Sequence, residues 1–79
     1  IFPDAEFEAN LSGLAGRLAA GPTLAYAQAK ELYNRALSQP LEAQLEEERQ
    51  RIVRASASRD FREGVAAFLA KRPARLEGL

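Results

Sequence analysis

Asp60-Phe61-Arg62-Glu63-Gly64-Val65-Ala66-Ala67-Phe68-Leu69-Ala70-Lys71-Arg72-Pro73 is the stretch that decides how this chain folds. An acidic residue opens the run, a basic pair closes it and a proline follows, the order that a helix dipole favours. Phe61, Val65, Phe68 and Leu69 recur at three- and four-residue spacing and fall on one apolar stripe. Ser58 or Asp60 can cap the start, and Asp60 with Glu63 has capping-box spacing. Near the far end Phe68 and Lys71 stand three residues apart, which on a helix puts an aromatic ring and an ammonium on one face.

The same punctuation divides the rest of the chain. Asp4 is placed as an N-cap, and Phe7, Leu11, Leu14 and Leu18 make an apolar stripe that ends at Gly21-Pro22. Glycine there suits a left-handed C′ position, and Pro22 can occupy the first turn of the next helix. Ala25, Ala29, Leu32 and Ala36 line that second helix, with Tyr33 and Leu37 flanking, until Ser38-Gln39-Pro40 breaks it. Leu41, Leu45, Ile52 and Ala55 continue at helical spacing with Glu48 set among them, while Glu46, Glu47 and Glu48 face Arg49, Gln50 and Arg51 across neighbouring turns. Ala55-Ser56-Ala57-Ser58 reads as the corner into the last helix. The spacing predicts an all-α fold of about four helices, over roughly 4–20, 22–37, 40–56 and 59–71, in one 79-residue helical domain. Two-residue alternation is absent and β-branched residues are scarce.

Composition narrows the function. Eleven basic and eleven acidic residues cancel, which argues against nonspecific nucleic-acid binding, a process that needs excess positive charge. No apolar run reaches membrane-spanning length, and no basic-then-apolar leader is visible. With no cysteine and no histidine, disulfides and the usual zinc sites are ruled out, as are Ser–His and Cys–His nucleophile systems. The readings that follow are no catalytic residue, no metal ligand, no nucleic acid, no membrane and a cytoplasmic setting. The lack of any methionine suggests that Ile1 is not a natural start. Alanine covers much of the apolar faces and buries little area at about 25 cal/mol per Å². Those faces are therefore expected to meet a surface outside this chain, as in a subdomain of a larger protein or a protomer of a helical oligomer.

Three groups invite a functional reading beside a plainer one. Glu48 could be a catalytic carboxylate, or it could pair with an arginine or lysine of a neighbouring helix. Lys30 could reach a phosphate, or lie along a helix edge with its head in water. Phe68 and Lys71 could receive an adenine ring and a phosphate, or serve as a core ring and a dipole partner with Arg72.

Four segments in order resemble the enoyl-CoA hydratase/isomerase (crotonase) family. Ile1-Phe2-Pro3-Asp4-Ala5-Glu6-Phe7 resembles the exit from that family's core, and Leu18-Ala19-Ala20-Gly21-Pro22-Thr23 with Ala25 and Lys30 its LA-x-GPT/P stretch. Leu41 to Glu48 resembles an L-x-x-x-L-x-x-E segment, and Ser58 to Pro73 the closing DF-x-EG-x-x-AF-x-x-KR helix. The tail looks most like the branch of epoxyphenylacetyl-CoA isomerases and related hydratases. One departure is Leu76, where members often carry phenylalanine in a P-x-F-x-G ending. The resemblance implies a C-terminal helical subdomain whose parent enzyme takes a coenzyme A thioester as substrate, needs no further cofactor and forms a homo-oligomer. It implies that acid/base carboxylates and an oxyanion hole lie on an upstream core, and that Phe68 and Lys71 line the CoA site. The rival expectation is a stand-alone helical dimerisation module that ignores CoA.

Overall fold

The computed structural model describes residues 1–79, whose regular elements are all helices, with no strand and an irregular tail after Leu69. A 3-10 turn at Asp4–Glu6 leads into α1 (Phe7–Ala19), followed by α2 (Thr23–Arg35), α3 (Leu41–Ser56) and α4 (Arg59–Leu69). The four expected helices are therefore present, each shorter by one to three residues at one or both ends.

The ends differ for local reasons. Asp4 caps nothing: it lies inside the 3-10 turn, and neither that turn nor α1 receives a side-chain cap. Gly21 is not left-handed; a Cβ at that position would collide with the Tyr26 hydroxyl, so close approach is what requires the glycine. Pro22 precedes the first helical residue. Its φ of −76° and ψ of 77°, with Thr23 N–H donating to the Gly21 carbonyl at 2.9 Å, make an inverse γ-turn. Pro40 likewise stands just outside α3 in extended conformation.

α2 and α3 form the best-packed pair and are joined by a five-residue connection, 36–40. Arg35 meets Glu47 at 2.8 Å and Glu31 meets Arg51 at 2.5 Å. A four-residue step back along α2 thus matches a four-residue step forward along α3, as an antiparallel helical hairpin requires. Gln44 adds a hydrogen bond to the Leu32 carbonyl at 3.3 Å. α4 turns off the end of α3 and packs against it, whereas α1 packs substantially only on the turn that leads into it.

This arrangement leaves almost no interior. Ala67 is the one buried apolar residue, and Phe7, Leu11, Leu14 and Leu18 of α1 remain exposed along their whole stripe. The radius of gyration is 16.0 Å, against about 11.6 Å for a compact domain of this length. Accessible surface is 6519 Å², about 1,800 Å² more than the scaling for a folded monomer of this mass gives. An open, flat set of helices, 45 × 36 × 17 Å in extent, is what alanine-rich faces without a facing surface produce.

Candidate functional site

α4 carries the chemistry-bearing residues, and its two ends are built differently. At the start Ser58 has extended backbone, and its Oγ accepts from the Phe61 N–H at 3.1 Å, so Ser58 is the cap. Asp60 and Glu63 therefore do not form the capping box that their spacing suggested. Asp60, 6% exposed, accepts from the backbone N–H groups of Glu77 at Oδ1 and Gly78 at Oδ2, each at 2.8 Å. Glu63 takes a two-pronged bond from Arg72, at 2.6 and 3.2 Å, and a third from the Arg75 N–H at 3.0 Å. The Arg72 guanidinium, followed by the Arg75 amide, holds the Glu63 carboxyl down from the usual 4.5 to about 2, and the same contact raises Arg72.

At its other end α4 closes in a Schellman turn. The Arg72 N–H donates to the Ala67 carbonyl at 3.0 Å and the Lys71 N–H to the Phe68 carbonyl at 3.2 Å. Lys71 occupies the left-handed position with φ of 53°, where glycine is the ordinary choice. The helix therefore stops before Lys71. Phe68 and Lys71 do not share a helical face, because Lys71 lies past the helix end and is itself the left-handed residue. Phe68, in the last helical turn, is 82% exposed rather than core. It lines an apolar groove of about 460 Å³ with Pro22, Leu24, Phe61, Val65 and Leu76, while Lys71 stands in solvent outside that lining.

The other two candidates are also placed. Glu48 finds no cation on a neighbouring helix; its partner is Gln44, whose amide donates to Glu48 Oε1 at 3.5 Å. The cross-helix ion pairs fall instead to Glu47, with Arg35, and Glu31, with Arg51, four residues apart on each helix and so along one side of the hairpin. Glu48 looks into a cleft of about 370 Å³ with Ala29, Leu32, Tyr33, Ala36 and Gln44. Lys30 is exposed. On the outer face of α3, Glu46 bonds Arg49 at 2.7 and 2.8 Å and Gln50 at 3.0 Å, as helical spacing required. Arg49 first and Gln50 second bring the Glu46 carboxyl to about 2. Both partners are solvated, so the pair is a surface feature of modest worth. No group of three or more carboxylates is arranged to hold a metal ion.

Comparison with known proteins decides the family. The family model described as enoyl-CoA hydratase/isomerase matches residues 1–78. The chain belongs to the enoyl-CoA hydratase/isomerase family. It is 45% identical over 76 residues to a protein of Rhodobacter capsulatus named "Probable enoyl-CoA hydratase", a match covering 96% of this chain and 30% of that protein. It is 43% identical over 65 residues to the 1,2-epoxyphenylacetyl-CoA isomerase of Escherichia coli, covering 82% of this chain and 25% of the relative. The chain thus spans less than a third of the length of either curated relative. In this hydratase/isomerase chain the residues that sequence reasoning overlooked are the partners of α4's carboxylates. Arg75, Glu77 and Gly78 lie 12 to 18 positions away from the carboxylates that receive them. Pro73, which cannot extend the helix, and Gly78 were the local signals of that return.

Proposed function

We propose that this chain is the C-terminal helical part of an enoyl-CoA hydratase/isomerase, contributing oligomer contact and one edge of the coenzyme A site. Proton transfer and oxyanion stabilisation would reside on a core outside these residues, and the parent would act on an enoyl-CoA thioester. The observation that carries this reading is that nearly the whole chain matches less than a third of its relatives while almost none of its own apolar surface is buried. A subdomain that closes over a larger body would have both properties.

Phe68 and Lys71 suit the CoA role in a way that differs from their helical spacing. The ring is exposed at the mouth of a groove, and the ammonium is projected from a left-handed position that a lysine occupies only at some conformational cost. A ring available for adenine and a cation available for phosphate are the complementary groups for the nucleotide end of coenzyme A.

The intact mass of the native gene product is the first test. A mass far above 8.7 kDa supports the subdomain reading, and a mass near that value turns the assignment toward a self-associating helical module. In the intact protein, Lys71→Glu should lower affinity for an acyl-CoA by about tenfold, the loss of one charge-assisted contact. Unchanged affinity would remove Lys71 from the site.

A further inference from the structure

After Pro73 the chain runs back along α4, from its C-terminal end to its N-terminal end. Arg72 and Arg75 meet Glu63, Glu77 and Gly78 meet Asp60, and the Asp60 N–H donates to the Leu79 carbonyl at 2.9 Å. Gly78 adopts φ of 75° and lies so close to Thr23 that a Cβ there would strike the Thr23 hydroxyl. The tail therefore touches the first residue of α2 while held by the first turn of α4. Those two helices have little direct packing, since α4 rests on α3 and α3 on α2. Leu76 forms one wall of the groove between them, which Leu24 of α2 and Phe61 and Phe68 of α4 also line.

We propose that Arg75–Leu79 is a latch: Asp60 clasps two successive tail amides, and this clasp seats Leu76 as the removable wall of the Phe68 groove. The closed latch ties α2 to α4 and gives the groove its shape. Released, it leaves Phe61, Val65 and Phe68 on an open helix face. The hold is made of four backbone bonds, two to the Asp60 carboxylate, one to Glu63 and one from the Asp60 N–H to the Leu79 carbonyl, with Leu76 the only large apolar side chain of the segment drawn into the groove. Segments secured in this way open far more readily than packed helices.

Amide hydrogen exchange by NMR on the full chain, together with NOEs between Leu76 methyls and the Phe61 ring, tests the latch. Asp60→Asn replaces one acceptor oxygen with a donor that faces a tail N–H. Exchange at Glu77 and Gly78 should rise at least tenfold and the Leu76–Phe61 NOEs should vanish, while amides of the α2–α3 hairpin keep their protection. Gly78→Ala should release the same segment by a different route, through its positive φ and the Thr23 collision. Ser58→Ala, which removes the helix cap without touching the clasp, should leave the tail amides protected. The latch is refuted if the Glu77 and Gly78 amides are unprotected in the unaltered chain, or if the NOEs survive Asp60→Asn. It is equally refuted if the hairpin amides lose protection in parallel with the tail, since Asp60 would then support the whole fold.

Discussion

Replacing Lys71 by glycine should stabilise the chain, and the gain can be worked from the backbone. Lys71 has φ of 53° at the C′ position of a closed Schellman turn, with its N–H and that of Arg72 both bonded back into α4. Holding a non-glycine residue in that region costs about 1–2 kcal/mol. Glycine removes the cost but enlarges the conformational freedom of the unfolded chain, which offsets about 0.4–1 kcal/mol. Loss of a cation from the helix C-terminus subtracts about 0.3 kcal/mol more at an exposed site. The balance is a gain of about 0.5 kcal/mol, and Lys71→Asn should fall between lysine and glycine because asparagine tolerates the left-handed region. Lys71→Ala keeps the strain and loses the charge, so it should be neutral or slightly destabilising. Urea unfolding followed by circular dichroism at 222 nm reads the order of midpoints at constant slope. If alanine stabilises as much as glycine, removal of charge and not relief of the backbone is the cause, and the strain argument fails. If glycine lowers the midpoint, Lys71 makes a stabilising contact in solution that its exposed position does not suggest.

Two further outcomes follow from the same helix. A Cβ at Gly64 would meet nothing within 4 Å, so Gly64→Ala should stabilise α4 by about 0.5–1 kcal/mol; a loss of stability in the urea midpoint would mean that another surface seats against this position in solution. Glu63 has its folded pKa depressed to about 2 from 4.5. Its contribution is therefore fully present above 4.5 and is lost as pH falls through 2. The Arg75 amide resonance should hold its hydrogen-bonded position at pH 5 and move toward its random-coil position at pH 2, and a midpoint near 4.5 would show that Arg72 and Arg75 do not hold the carboxylate.

Much of this protein could be read from residues that lie within four positions of one another. The stripes of α1 and α4, the breaks at Gly21-Pro22 and Ser38-Gln39-Pro40, and the Glu46–Arg49 bond all appear where spacing put them. Even a contact class that crosses helices was partly visible, since Glu48, set among apolar residues, could be read as pairing with an arginine or lysine of a neighbouring helix. Its membership was not: Glu47 and Glu31 took the arginines, and Glu48 was left to Gln44. A seam angle that differs by one helical position, about 100°, reassigns every pair along it.

The sequence by itself determined that the chain is helical, where its four helices lie to within about three residues, and to which family it belongs. Hydrophobic period, proline and glycine act over one or two turns and are written in order along the chain. Tertiary structure alone decided where the two carboxylates of α4 point, that Phe68 is exposed, and that Lys71 leaves its helix for a left-handed turn. Asp60 and Glu63 had a local option three residues apart. The tail's return brought competing N–H donors and an arginine to them, and the Asp60 N–H that Glu63 would have bonded in a capping box donates instead to the Leu79 carbonyl.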